Sequence, residues 1–86
     1  MVGDKKPLKD FVGRLIVTKE GKRLGFVKDI TFEARTGELI HVVLKDPTVY
    51  TKNLNLEKSK EGEILVPYNS IVAIGDFIVV SEEDLL

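Results

Sequence analysis

Few side chains in this 86-residue chain could do chemistry. His41 is its single histidine and cysteine is lacking, which removes thiol redox work, disulfides, Cys-ligated zinc and any multi-histidine metal site within one chain. An imidazole between Ile40 and Val42 could act as a pH switch or a ligand, but the favoured reading is a partly exposed strand position with a satisfied ring. Asp29 and Asp76 both adjoin apolar strand residues; as a pair they could exchange a proton or hold a cation. Their spacing does not bring them together, and Asp76 follows Gly75, where an aspartate commonly caps turn N–H groups. Both are read as structural. Lys5, Lys6, Lys9, Arg14, Lys22 and Arg23 form a candidate basic patch. RNA contact would need aromatic platforms among them. The balance of 13 basic against 14 acidic side chains also argues against nucleic acid and against an anionic membrane as direct partners. With no nucleophile–base pair and no ligand set, the expectation is a protein that is not an enzyme and has no cofactor, no metal and no catalytic residue.

A chain of this length allows one small core, with about 60–65% of the unfolded surface buried and no disulfide to staple it. Short runs rich in Val, Ile, Leu and Phe are punctuated by glycine, which reads as an all-β domain. Residues 1–10 are expected to be a flexible leader, 11–80 the folded domain and 81–86 an acidic tail that frays. The spacing predicts strands over Val12–Thr18, Leu24–Glu33, Glu38–Lys45, Ile71–Ile74 and Phe77–Val80. Leu15 and Val17 share a face of the first. In the second, Phe26, Ile30 and Phe32 fall on one parity, and Lys28 breaks the apolar alternation, so a bend or bulge is expected there. A short strand at Leu54–Leu56 pairing with Glu63–Val66 is expected within the long connection Thr48–Gly62. Turns are assigned to Gly21, Gly25, Asp29, Gly37, Pro67, Gly75 and Asp76. The most apolar stretch, Ile71–Val80, is interrupted by Gly75 and Asp76 and falls far short of the about 20 residues a spanning helix needs. A cytoplasmic protein without direct membrane insertion is expected.

The series Gly13, Gly21, Gly25-Phe26-Val27-Lys28-Asp29-Ile30, followed by Gly62-Glu63-Ile64-Leu65-Val66-Pro67-Tyr68 and Ala73-Ile74-Gly75-Asp76-Phe77-Ile78-Val79-Val80, resembles the PRC-barrel family. The resemblance covers roughly residues 10–80. It implies a small β-barrel of six to seven short, mostly antiparallel strands. The chain is most similar to the stand-alone archaeal members, some of which are cell-division components that dimerise and bind the SepF membrane anchor of the FtsZ ring. The resemblance thus implies a non-catalytic, homodimeric adaptor, recruited to the division site through a SepF-like partner. The alternative it carries is a ribosome- or RNA-associated maturation factor like the C-terminal barrel of RimM.

Apolar surplus points the same way. Leu39–Leu44 is apolar on both parities, the long connection carries Val49, Tyr50, Leu54 and Leu56, and Phe77 and Val79 oppose Ile78 and Val80. One small barrel hides only part of this. The candidate dimer or partner interface is therefore Ile40, Val42, Leu44, Val49, Tyr50, Leu54, Leu56, Phe77 and Val79.

Overall fold

The computed structural model describes residues 10–85. Of the expected leader, residues 1–9 lie outside the described residues. Strand β1 (Leu15–Thr18) is shorter than its apolar run, because Phe11–Gly13 form a turn. Its alternation is clean: Ile16 and Thr18 are buried, Leu15 and Val17 point the other way. A turn at Gly21, with φ near +89°, leads into the ten-residue β2 (Arg23–Phe32). Strand β3 (Leu39–Lys45) returns after the Gly37 turn. Then follow a short helix α1 (Val49–Asn53), β4 (Leu65–Pro67), a 3₁₀ turn at Tyr68–Ser70, β5 (Ile71–Ile74), β6 (Phe77–Val80) and a 3₁₀ turn at Glu82–Leu85.

The six strands form one sheet in the order β4-β3-β2-β1-β6-β5. Every pair is antiparallel except β1 with β6, which run parallel. Val66 from one end of that sheet and Ile78 and Val80 from near the other share one core with Ile16, Leu24, Val27, Val42 and Leu44. The sheet therefore curls on itself, and the all-β barrel expected from the sequence is what forms.

Two local devices shape it. The β2–β3 register slips between Val27 and Asp29, placing a bulge at Lys28 where the sequence asked for one. The bulge resets parity: Val27 and Ile30 both turn to the core while Phe26 points out, so Phe26 and Ile30 do not share a face. Gly25 is the second device, and it is not a turn residue. It lies within β2 opposite Ile16, buried, with φ near +149°. A Cβ there would sit 3.0 Å from the Lys45 carbonyl oxygen and 3.2 Å from Pro47 Cα, so glycine is what lets the β3–α1 corner close over β2. Asp29 likewise belongs to β2, beside the bulge, where its Oδ1 accepts from the Ile30 N–H at 2.8 Å.

The long connection departs from expectation. Thr48 caps α1 by accepting from Thr51 N–H, and the fully buried Thr51 donates to the Leu24 carbonyl at 2.8 Å. The capped turn thus exchanges expected loop for helix. Leu54–Leu56 is not a strand; among the described residues the pairing beside it is a bridge between Lys58 and Ile64. Glu82–Leu85 is not a loose tail either, since Ser81 N–H bonds to the Ser70 carbonyl at 2.8 Å and Leu85 enters the core.

Candidate interaction surface

Val42, Leu44 and Leu56 are core residues, Val42 being 2% exposed, so the structure removes these three from the candidate interface. The two-sided apolarity of β3 has an internal explanation. Val42 and Leu44 fill the barrel, while Val43 on the opposite face pairs with Leu65 of β4 and both are buried within the chain. Tyr50 and Leu54 pack partly against the core, and the Lys22 ammonium sits 5.4 Å above the Tyr50 ring. Val49, at the start of α1, is exposed, as is Ile40 on β3.

Phe77 and Val79 are where the surface becomes continuous. The β1–β6 pairing sets Leu15 beside Phe77 and Val17 beside Val79, and the β1–β2 pairing sets Leu15 beside Phe26. Directly paired residues share a face. Phe26, Leu15 and Phe77 therefore form a row across three strands, about 10 Å from end to end. Val17, Val79 and Ala73 form a second row alongside it. Phe77 is 55% exposed and Phe26 41%, unusual for phenylalanine on a monomer surface. Lys45, paired with Phe26, closes one end of the first row, and Asp76 adjoins the other. Leu15, Val17 and Phe26 are missing from the sequence-derived list. The alternation of Leu15 with Val17 was a usable signal, but the bulge hid Phe26.

A separate apolar feature opens where the curled sheet fails to meet. Phe11, Ile30, Leu39, Tyr68, Ile71 and Ile74 surround an apolar hollow of about 10 Å³.

The polar residues that could do chemistry are occupied in ordinary ways. His41 Nε2 lies 3.1 Å from Glu57 Oε1, and its backbone N–H bonds to Thr31 Oγ1. Arg14 donates to the carbonyls of Asp10 and Gly75, tying the start of β1 to the β5–β6 turn, and its guanidinium lies 6.0 Å from the Phe11 ring centre. Lys5, Lys6 and Lys9 of the candidate basic patch lie outside the described residues. Lys28 pairs with Glu63, whose hydrogen bond and charge hold the ammonium pKa above its ordinary value. Glu82 is held above the ordinary carboxylate range, chiefly by a side-chain hydrogen bond with Glu20 that forms when one of the two is protonated. Among the described residues no three His, Cys, Asp or Glu side chains gather as a metal site would require.

A PRC-barrel domain model matches residues 3–86. The chain belongs to the PRC-barrel family. It is also similar to an uncharacterized protein of Methanocaldococcus jannaschii, 30% identical over 82 residues that cover 95% of this chain and 88% of that protein. A PRC barrel of this form has its core accounted for, and the phenylalanine row on β1, β2 and β6 stands outside that core. No helix among the described residues is long and apolar enough to cross a membrane.

Proposed function

We propose that this PRC barrel is a non-catalytic, homodimeric adaptor in the cytoplasm, bringing together proteins of the archaeal FtsZ/SepF division machinery. The observation that carries the interaction reading is the outward row Phe26–Leu15–Phe77. Apolar groups of this size gain by leaving water, and a second copy of the chain is the occupant their charges favour. Rotation by half a turn about an axis along β1 lays Phe26 over the partner's Phe77 and brings Lys45 toward the partner's Asp76. The pattern cation, Phe, Leu, Phe, anion is thus self-complementary. The PRC-barrel resemblance supports the division role, as does the archaeal source of the similar protein.

The test is capture of the tagged chain from its native host, read by mass spectrometry, beside sedimentation of the purified protein. Enrichment of FtsZ and SepF together with a dimer in solution supports the adaptor. Enrichment of small-subunit ribosomal proteins, cosedimenting at moderate salt, would replace it with the maturation-factor reading.

A further inference from the structure

The two edges of the sheet are treated differently. Strand β4 has its outer side covered: Leu65 N–H bonds to the Glu57 carbonyl at 2.9 Å, Lys58 bridges to Ile64, and Pro67 carries no N–H. Strand β5 has no such cover among the described residues. It pairs with β6 on one side, and none of the backbone bonds outside the ladders involves Val72, Ala73 or Ile74. Its sequence, Ile-Val-Ala-Ile, contains neither charge nor proline, two of the means by which an edge is blunted. A bulge between Ile71 and Ala73 marks Val72, which is 54% exposed.

A second unpaired stretch lies across the opening. The β4 ladder reaches only His41–Val43 of β3; beyond it the chain leaves the sheet as the Tyr68–Ser70 turn, so among the described residues Leu39 and Ile40 have no strand partner on that side. Between this stretch and β5 lies the apolar hollow, whose walls include Ile30, Leu39, Ile71 and Ile74. The barrel therefore has a seam with unsatisfied strand edge and an apolar floor. An extended segment laid along β5 would bond to its backbone, and every second side chain would cover the hollow.

Charge decides what kind of segment. Asp76 stands at one end of β5; at the other, the 3₁₀ turn carrying Glu82, Glu83 and Asp84 is tied to Ser70 through Ser81. A second copy paired antiparallel through its own β5 would set the three acids of each 3₁₀ turn against the other copy's Asp76, with one cation at the Asp76 turn, Arg14 on the Gly75 carbonyl. We infer that the β5 seam receives an extended segment of a different protein, with aliphatic residues at alternate positions and a lysine or arginine at each end. This rests on the interaction reading above and assigns the second partner a site apart from the phenylalanine row.

The probe is the capped heptapeptide Lys-Val-Thr-Ile-Thr-Val-Lys, titrated into the full ¹⁵N-labelled chain. Binding is expected below about 1 mM, with shifts confined to β5, Leu39 and Ile40, and with slowed amide exchange at Val72–Ile74. Replacing both lysines by glutamate, N-methylating alternate backbone nitrogens, or the substitution Ile74→Lys should each weaken binding by about tenfold or more. Ile74 is 43% exposed, so its variant is expected to fold, which amide dispersion verifies. Phe77→Ser should leave peptide binding within about twofold while weakening the dimer. Absence of binding, equal binding of the N-methylated peptide, or shifts centred on Phe26 and Phe77 would each overturn the inference. A dimer that captures FtsZ and SepF yet ignores the peptide defeats this inference alone; a monomer that binds the peptide through β5 defeats the homodimer alone.

Discussion

Replacing Phe77 by serine separates the phenylalanine row from the barrel beneath it. A phenylalanine side chain presents about 150–250 Å² to solvent when free. At 55% exposure, about 110 Å² of it remains open in the monomer. Covering that area at about 25 cal/mol per Å² would gain just under about 3 kcal/mol per copy. A two-fold interface counts it twice. The surface is the convex outside of a barrel, so coverage is incomplete, and binding itself opposes part of the gain. A loss of about 2–3 kcal/mol in dimer free energy remains, which is about 30- to 150-fold in Kd. The same substitution also removes the covered part of the ring from the monomer, costing about 2 kcal/mol of fold stability. Phe26→Ser, on the opposite side of Leu15, supplies an independent check at a residue 41% exposed. Sedimentation velocity between about 1 and 100 μM reads the dissociation, and circular dichroism with Tm confirms folding. Wild-type protein that is monomeric throughout would refute the reasoning. So would folded variants at both positions that dimerise as tightly as wild type.

The remaining predictions concern the fold that carries the surface. Gly25→Ala should cost about 2–4 kcal/mol in urea unfolding, since the residue sits at φ near +149° and its Cβ would meet the Lys45 carbonyl and Pro47 backbone; a loss below about 1 kcal/mol would show that the β3–α1 corner gives way. Thr51→Val should cost about 1–2 kcal/mol by the same measurement, because it removes the buried donor to the Leu24 carbonyl and the hydroxyl contact to Thr48. Glu82 has its folded pKa raised by its bond with Glu20, so its stabilising contribution is present below the unfolded value and lost as pH rises through the folded one. Glu82→Gln, which keeps a neutral donor, is therefore expected to raise the unfolding midpoint at pH 7 relative to wild type and to leave it unchanged near about pH 3.5; the reverse order would contradict the assignment. His41→Ala should leave dimerisation and partner capture within about twofold, because the ring's partner is the exposed carboxylate of Glu57.

Much of the barrel is written in period-two patterning. Leu15 through Thr18, the β3 run and the paired runs Ile71–Ile74 and Phe77–Val80 all become strands, and Gly21, Gly37 and Gly75-Asp76 mark their turns. Lys28 announced its bulge by breaking the alternation. Helix α1 was not legible, because five residues are too few for a helical period and the signal rests on Thr48 and Thr51, whose partners lie on β2. The position of the outward apolar row escapes the sequence for a related reason. Val42, Leu44 and Leu56 have the same apolar character as Phe77, and character alone does not say which of them the barrel has room to enclose.

What the sequence determined by itself is local: an all-β domain, its turn positions, and an apolar content larger than a small core would consume. The tertiary structure decided which apolar residues are the surplus. Leu15 and Phe77 lie far apart in the chain, and the parallel β1–β6 pairing makes them neighbours. The bulge in β2 then turns Phe26 to the same side. Pairings across such separations depend on how the whole sheet closes, and one extra residue in a strand reverses the face of those beyond it. A covered edge at β4 and an open one at β5 follow from the same closure.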